Sequence, residues 1–557
     1  MAQKRQFNEG KRHFKKSKKQ KTSTASEGSN EEVLLADIRN LLKDVKISDD
    51  EATAGDEAVK QLPEIHAEVD LTISELSSTG DGLALENGQV YVVPFATPGD
   101  VVTARVYKHF EEESYSLADF VKVVKAGEHR TEEPKCQYFT KCSGCQFQHM
   151  PYSYQLIHKR SIVEKAYRNF SKLPASDVPT VGDTIGSPLQ YGYRTKLTPH
   201  FDAPPGGRRD KRNGHKVTWP EVPPIGFMLK GTRKTMDIED CPIGTEAVRI
   251  GMKRERKRVA ENIDSYQKGA TLLLRENTER IEKVAGMIEE DKETESKDEV
   301  IEDRDSFVHR KTCITDHKAV STEYIDDYRL DNPAGAFFQN NNSILPVVTQ
   351  YIRDHILEDS PEAREAVNGS SETSPKIKNM IDAYCGSGFF TITLSSMFNN
   401  SIGIDISGQS IDFASKNAKL NKLPEEGTHF IAADANHLFA SVDTKKFPPA
   451  ETVVVIDPPR KGCDEGFIRQ LLSYGPARIC YVSCNVHTQA RDVGWIVGGL
   501  PGDEGPKGQY EIESLRGFDF FPQTSHVEGV AILRKTAGQV ESGDGTVAND
   551  QEGDKTE

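Results

Sequence analysis

The sequence has no long apolar run, and hydrophobic residues make up only 36% of its 557 positions. No stretch approaches the roughly 18 consecutive apolar residues of a membrane span. The basic N-terminus also lacks the apolar core of a secretory signal. We therefore expect a soluble, intracellular protein of the nucleus and/or cytoplasm, with no membrane partner. The low apolar fraction predicts that part of the chain stays outside any packed core.

Cysteine is scarce as well. Nine cysteines in so long a chain do not make a disulfide scaffold, and in a reducing compartment clustered cysteines indicate metal binding or catalysis. Cys136, Cys142 and Cys145 have C-x5-C-x2-C spacing, which core packing explains poorly. A fourth ligand is needed, and Cys241 is the candidate. From ligand type alone, four thiolates suit structural zinc as well as an iron–sulfur cluster.

Positive charge is in deficit over the whole chain, but the charges are segregated. The formal net charge of −15 argues weakly against a nucleic-acid partner. Residues 11–21 are almost wholly basic, whereas residues 289–305 and the tail after residue 535 are strongly acidic. Acidic tails can hide a basic working surface, so the net charge does not decide the partner. The basic run fits a nuclear localisation signal, an RNA-binding arm or a solubilising tail.

Changes in composition divide the chain into five segments, and its length suggests about three folded domains. A basic N-terminal arm is predicted to be disordered apart from one short helix. Short alternating strands broken by Gly, Asp and Asn turns then predict a small antiparallel β-barrel. A central mixed α+β domain with the cysteine cluster and an acidic insertion precedes an α/β domain and a disordered acidic tail. The expected segments are 1–62, 63–128, 129–325, 326–536 and 537–557.

The last third of the sequence predicts a doubly wound parallel sheet. Five short apolar strands alternate with helix-like stretches, and they read NMIDAYC, SIGIDI, HFIAAD, ETVVVIDPP and RICYVSC. This alternation is typical of α/β proteins. Two further strands, in YEIESLRGFDFF and VEGVAILRK, are expected to close the sheet as a hairpin.

Residues at the ends of the first two strands predict a cofactor site. Gly386 and Gly388 let the backbone turn tightly and approach a ligand at the start of a helix. Asp405 ends the second strand, where a carboxylate can accept hydrogen bonds from ribose hydroxyls. The third glycine of the dinucleotide fingerprint is absent, so S-adenosylmethionine fits better than NAD.

Cys484 ends the fifth strand, and a lone cysteine in that place is more often inert packing than chemistry. The fourth strand, however, ends in IDPPRKG, whose two prolines form a rigid corner that directs Asp457 and Arg460 into the crevice. Ligands of open α/β sheets bind beyond the carboxyl ends of the strands. Because the glycine loop, this corner and the thiol converge at one edge, we interpret Cys484 as a reacting group.

These motifs together resemble the RNA uracil-C5 methyltransferases, the TrmA/RumA group. The resemblance rests on FFQNN (337–341), DAYCGSG (382–388), IDPPRKG (456–462), VSCN (482–485) and FPQTSHVEGVAIL (521–533). It implies a class I Rossmann-like methyltransferase domain with S-adenosyl-L-methionine as cofactor. The barrel resembles the OB-like TRAM domain found at the N-terminus of many members. The implied substrate is tRNA, at uridine 54 of the T-loop, with rRNA as the runner-up, and we expect a monomer.

The resemblance also implies roles for single residues. Cys484 matches the nucleophile that adds to uracil C6, which turns C5 into an enolate carbon able to attack a sulfonium methyl group. Glu528 matches the general base that removes the C5 proton. Arg460 is expected to border the flipped base or the cofactor. The positions that match the family's cofactor-binding residues are Gln339, Tyr384, Asp405 and Asp457.

In the RumA-like branch, the same cysteine spacing followed by a DCP cysteine holds a four-iron cluster. The resemblance therefore implies a [4Fe-4S] cluster on Cys136, Cys142, Cys145 and Cys241, with structural zinc as the alternative. Its role is expected to be structural or RNA-contacting, because the methyl transfer requires no electron.

Two positions depart from the family pattern, and two other functions compete. Phe389 stands where many members have Asn, and Val486 stands where they have Pro. RNA cytosine-C5 methylation is disfavoured, because those enzymes carry a second cysteine after the proline of the fourth-strand motif. A tRNA-binding or folding factor with secondary catalysis is the alternative from another class.

Overall fold

The computed structural model describes residues 26–49, 62–204, 218–283, 298–357, 377–434, 438–502 and 508–536, together with the single residues 206, 212 and 214. The basic run 11–21, residues 289–297 of the acidic insertion and the acidic tail 537–557 lie outside the described residues. Across the described ranges, no helix combines the length and the apolar character needed to cross a membrane.

The described ranges form helices and strands with the following bounds. The helices are α1 (Asn30–Asp49), α2 (Tyr152–Phe170), α3 (Glu246–Glu261), α4 (Leu345–Ile356), α5 (Phe389–Leu394), α6 (Gly408–Leu420), α7 (Glu465–Tyr474) and α8 (Val486–Gly498). The strands are β1 (Glu68–Thr72), β2 (Glu75–Leu76), β3 (Gly82–Glu86), β4 (Gln89–Val93), β5 (Val101–Phe110), β6 (Tyr115–Lys125), β7 (Gly182–Ile185), β8 (Lys196–Leu197), β9 (His200–Phe201), β10 (Gly226–Met228), β11 (Thr235–Asp237), β12 (Ala270–Thr271), β13 (Leu274–Glu282), β14 (Val300–Asp303), β15 (Phe307–Ile314), β16 (Val320–Ile325), β17 (Tyr328–Pro333), β18 (Asn379–Ala383), β19 (Asn400–Asp405), β20 (Thr428–Ala432), β21 (Thr452–Ile456), β22 (Arg478–Ser483), β23 (Tyr510–Phe518) and β24 (Glu528–Lys535).

The N-terminal barrel is a six-stranded sheet in the order β1-β5-β6-β4-β3-β2. Its pairings are antiparallel except that of β4 with β6, which is parallel. Alternate side chains of these strands point inward and form one apolar core, as a period of two dictates. Helix α1 covers another part of the barrel through the fully buried Ile38. A helix is expected within residues 1–62, and α1 spans 20 residues there and packs apolar side chains on the barrel.

The central region is mixed α+β, as predicted. It contains the small sheets β11-β10-β9-β12 and β14-β15-β13-β8, the hairpin β16–β17, and helices α2 and α3. The hairpin spans residue 325, where the sequence analysis places a domain boundary. Strand β7 leaves this region and pairs with β23 of the large sheet, so the two regions share a sheet edge.

The large sheet has eight strands in the order β20-β19-β18-β21-β22-β24-β23-β7. The first five are parallel, and β23 with β24 forms the expected antiparallel hairpin. Strands β18, β21 and β22 are buried along their whole length, which matches their continuous apolar sequences. Apolar clusters cover both faces of the sheet. The carboxyl ends of β18, β19, β21 and β22 therefore open at one edge, where the site lies.

Candidate active site

Cys484 and Glu528 face each other across two neighbouring antiparallel strands. Cys484 directly follows β22, and Glu528 is the first residue of β24. Ser483 pairs with Gly529, so continuing the register by one residue sets Cys484 opposite Glu528. Directly opposed residues have Cα atoms about 4.5–5.5 Å apart. Sheet register thus brings together two residues that lie 44 positions apart in the sequence.

The environment of both groups favours their neutral forms. Burial, followed by the Glu528 and Asp457 carboxyls, raises the pKa of Cys484 to about 12, and a hydrogen bond from Arg460 opposes that rise. Glu528 is 1% exposed, and burial raises the pKa of its carboxyl well above the ordinary value. Its Oε1 atom is buried and has no hydrogen-bond partner among the described residues. A buried carboxyl oxygen without a partner is available to a ligand.

The corner after β21 is bonded to the loop that carries Cys484. The Arg460 carbonyl accepts hydrogen bonds from Asn485 Nδ2 at 3.0 Å and from Thr488 Oγ1 at 3.1 Å. Asn485 also caps helix α8 by accepting from the His487 N–H at 3.2 Å. The residue after the thiol thus fixes both the helix start and the corner.

Asp457 stands at the same corner, between the thiol and the cofactor edge. Its backbone N–H donates to the Ala383 carbonyl at 3.4 Å, which ties the end of β21 to the end of β18. Burial, and then the neighbouring Asp382, raises the pKa of Asp457 to about 7. The surroundings of this carboxyl therefore favour its neutral form.

The glycine loop after β18 forms the cofactor edge. Tyr384, Gly386 and Gly388 all have positive φ, at 62°, 54° and 91°. The Gly386 N–H donates to Asp405 Oδ2 at 3.0 Å, and the Ser407 N–H donates to Oδ1 at 2.7 Å. These bonds hold the Asp405 carboxylate at the strand end while its remaining lone pairs stay available. A Cβ added at Gly386 would meet open space, so the backbone there is accessible to a ligand.

The loop that carries Gln339 packs against the glycine loop. The Phe338 ring meets the Phe389 ring edge to face, with ring centroids 6.1 Å apart. Phe389 is only 7% exposed, so it fills apolar space rather than presenting a polar group. This packing accounts for the departure at Phe389. The structure thus places the loop of Gln339 beside the loop that contains Tyr384.

The four clustered cysteines are close enough to one another to interact electrostatically. Burial raises the pKa of Cys145 and of Cys241 to about 12, and Cys136 and Cys142 act electrostatically on both thiols. Within the residues that the structure describes, no group of three or more Cys, His, Asp or Glu side chains is arranged to hold a metal ion. The arrangement therefore does not support the metal-ligand prediction.

Known proteins are similar to this chain in sequence and in fold. The chain is 41% identical over 529 residues to the tRNA (uracil(54)-C(5))-methyltransferase of Schizosaccharomyces pombe, a match that covers 94% of this chain and 87% of that protein. It is 39% identical over 543 residues to the same-named protein of Saccharomyces cerevisiae, covering 92% and 79%. Residues 365–536 match the family described as tRNA (Uracil-5-)-methyltransferase. The chain belongs to this family.

Two further matches concern the architecture. Residues 64–111 match the TRAM domain, which confirms the interpretation of the barrel. The crystal structure of Pyrococcus abyssi tRNA (uracil-54, C5)-methyltransferase in complex with S-adenosyl-L-homocysteine superposes with a TM-score of 0.55 at 22% identity. That match covers 84% of this chain and 100% of the other. It shows that the two proteins share a fold, and the fold class predicted from the sequence is confirmed.

Sequence analysis missed the residues that hold the loop before Glu528. Lys159 and Asp519 are both fully buried and form an ion pair of 2.5 Å between α2 and this loop. Lys159 Nζ also donates to the His526 carbonyl at 2.7 Å, two residues before Glu528. A lysine within an amphipathic helix is expected to be exposed, so the sequence alone does not predict this contact.

Proposed function

We propose that the protein methylates C5 of uridine 54 in tRNA through a covalent adduct between Cys484 and C6 of the base. The placement of Cys484 opposite the buried, unpartnered Glu528 oxygen carries the proposal. Family membership supports the methyl transfer, and the names of the two yeast relatives support tRNA and position 54. S-adenosyl-L-methionine, when bound, supplies the methyl group as a sulfonium.

The reaction uses the two facing side chains in turn. Cys484 Sγ forms a bond to C6, which places negative charge on C5 and its neighbouring carbonyl. C5 would then take the methyl group from the sulfonium, whose sulfur would leave as a neutral thioether. The Glu528 carboxylate then removes the proton from C5, and the C6–S bond breaks to return the thiolate. Arg460 hydrogen-bonds the thiol and lowers its pKa, so it stabilises the thiolate at both ends of the cycle. The raised pKa of Glu528 makes its carboxylate a strong proton acceptor once it is ionised.

The cofactor edge is assigned in the same proposal. Asp405 would bind ribose hydroxyls, because its oxygens lie at a strand end with lone pairs to spare. Tyr384 lies in the same loop as the accessible Gly386 backbone, and Gln339 follows Phe338, whose ring packs on Phe389 after that loop. Asp457, at the corner between this edge and Cys484, would meet the reacting end of the cofactor.

The test is incorporation of labelled methyl groups into an unmodified tRNA transcript and an rRNA fragment, followed by nucleoside and position analysis. We expect 5-methyluridine at position 54 of tRNA with the natural protein and none with Cys484→Ala. Cys480→Ala is the matched control, since Cys480 is fully buried four residues earlier in β22 and should retain activity. Methylation of rRNA alone would transfer the activity to that substrate. Tight tRNA binding without any 5-methyluridine would favour the folding-factor function.

We propose separately that Cys136, Cys142, Cys145 and Cys241 hold a [4Fe-4S] cluster, with structural zinc as the alternative. Proximity of free thiols supports this proposal, and binding would have to draw the four sulfur atoms together. Iron, sulfide and zinc should be measured on anaerobically purified protein. We expect iron and sulfide that Cys241→Ser loses and that Cys313→Ser, a nearby buried cysteine outside the set, retains. Protein without iron or zinc would overturn the proposal.

A further inference from the structure

One turn of the barrel contacts the loop that carries Glu528. This turn, Ser77–Asp81, joins β2 to β3, and we call it the barrel turn. The Thr79 carbonyl accepts hydrogen bonds from Ser525 Oγ at 3.1 Å and from Gln146 Nε2 at 2.7 Å. Gln146 Oε1 in turn accepts from the Ser525 N–H at 3.0 Å. Since Ser525 lies three residues before Glu528, the barrel turn holds the segment that leads to Glu528.

Gly80 permits this close approach. Its φ is +86°, and a Cβ built there would lie 2.5 Å from Gln146 Nε2 and 2.9 Å from Ser525 Cβ. Any side chain at position 80 would therefore displace Gln146 and the loop before Glu528, besides straining the backbone.

The other side of the barrel turn holds helix α1. The Ser78 N–H donates to Asp37 Oδ2 at 2.6 Å, and both residues are buried. One residue further along, the fully buried Ile38 packs with Leu83 and Val90 of the barrel. Helix α1 is thus fixed to the same turn that holds the loop before Glu528.

The N-terminal end of α1 reaches the loop that carries Cys484. The Gly28 carbonyl accepts a hydrogen bond from Asn485 Nδ2 at 3.2 Å, and Glu27 forms an ion pair of 3.0 Å with Arg491. Gly28 has a φ of +68°, and an added Cβ would lie 2.4 Å from Thr488 Cγ2. The residue next to the nucleophile therefore bonds to a chain segment whose other end is fixed to the barrel turn.

We propose that the barrel turn and the segment 27–38 position the two reacting loops relative to each other, so that the barrel completes the active site. Gly28 and Gly80 are the positioning residues: neither touches the reacting groups, and each allows one loop to seat. The inference rests on the proposed roles of Cys484 and Glu528. It assigns the TRAM barrel a part in catalysis in addition to any part in RNA binding.

The test compares Gly28→Ala and Gly80→Ala with Gly99→Ala, all in the full chain. Gly99 is a barrel glycine with a φ of +85° whose added Cβ would meet Gly127 Cα at 3.4 Å, an ordinary contact. It therefore carries the same backbone strain without displacing a loop. The measurements are kcat, KM for tRNA, thermal melting, and the rate of covalent adduct formation with tRNA containing 5-fluorouridine.

For the two test variants we expect kcat to fall about tenfold or more while KM for tRNA changes less than about twofold, because small displacements of reacting groups are costly. Gly28→Ala should also slow adduct formation. Gly99→Ala should lower the melting temperature but keep kcat. Should Gly80→Ala fail to fold, Ser525→Ala removes the hydrogen bond from Ser525 Oγ to the Thr79 carbonyl without backbone strain, and kcat should fall about threefold at unchanged melting.

Equal kcat values in all three glycine variants would overturn the inference, and so would a rise in KM alone, since that would limit the barrel to RNA binding. These results are distinguishable from failure of the proposed function. In that case Cys484→Ala would retain methylation, or the natural protein would form no 5-methyluridine.

Discussion

The two sites expected from the sequence differ in how the structure assembles them. Cys484 and Glu528 lie at the ends of paired strands, and continuing the register of β22 with β24 by one residue sets them opposite each other. The four cysteines instead lie outside the named strands, in two segments that isolated bridges of Cys142 with Leu229 and of Gly244 with Arg194 connect to the rest of the fold. Hydrogen-bonded register fixes relative position to within a residue, whereas loops need a further bond to do so. The fold therefore places a motif on paired strands, whereas the four cysteines would depend on a bound cluster or metal to draw them together.

Replacing Cys484, the proposed nucleophile, should have the largest effect on methyl transfer. Cys484→Ala should reduce methyl transfer by about four orders of magnitude or more, because the covalent route has no substitute. Binding of tRNA should stay within about threefold, since a half-buried thiol contributes little contact area. Filter binding and methyl incorporation measure the two quantities. Activity above about a hundredth of the natural rate would show that the facing strands do not carry the reaction.

Replacing Glu528, the proposed general base, should have the next largest effect on methyl transfer. Glu528→Gln keeps the size of the side chain and the neutral charge that burial favours, but it cannot accept the C5 proton. We expect kcat to fall about a hundredfold to ten-thousandfold, the usual range for loss of a general base. Methylated RNA should accumulate as a covalent complex that survives denaturing gel electrophoresis.

Two outcomes decide the interpretation of that variant. A lower rate without a trapped complex would mean that Glu528 acts before methyl transfer. Glu511→Gln is the control, because Glu511 lies half-exposed on the neighbouring strand and pairs with Arg534.

The sequence predicted the strand ends of the site well and the contacts between its loops poorly. Asp405 ends an apolar strand, Asp457 and Cys484 each directly follow one, and parallel strands bring such ends to one edge. The contacts of Gln146 with Thr79 and Ser525 span 67 and 379 residues and involve side chains common on any surface. No local pattern encodes them, because they depend on how the barrel docks. For the same reason the sequence did not predict that Asp37 holds α1 to the barrel turn.

Replacing Arg460 should have a smaller effect, which appears in how the reactivity of Cys484 depends on pH. The charge and the hydrogen bond of Arg460 lower the pKa of Cys484, and burial with the Glu528 and Asp457 carboxyls outweighs them, so that the pKa is raised to about 12. Below that pH the thiolate fraction grows with rising pH, so alkylation of Cys484 should speed up from neutral to alkaline solution. Arg460→Ala raises the pKa further. At any given pH below the pKa, the alkylation rate should therefore fall about tenfold for every unit by which the pKa of Cys484 rises.

The measurement is iodoacetamide labelling of the Cys484 peptide, followed by mass spectrometry across pH 7 to about 10. In this range only a small fraction of a thiol with a raised pKa is ionised. The curve should move to higher pH in Arg460→Ala. Arg469→Ala, an exposed arginine on α7, should leave it unmoved. A curve that stays in place for Arg460→Ala would mean that carboxyl groups and burial alone set the reactivity of the thiol.

The smallest effect on catalysis should come from the cysteine cluster. Cys241→Ser changes one thiol in a loop, and methyl transfer moves an electron pair but requires no redox step. The nearest link to the reacting groups runs through Gln146, which follows Cys145 and keeps its own bonds to Ser525. We therefore expect kcat within about threefold of the natural value, which is roughly 0.6 kcal/mol in the barrier. A hundredfold loss, measured on the same tRNA transcript, would show that the cluster loop positions Glu528 and that the two sites are not independent.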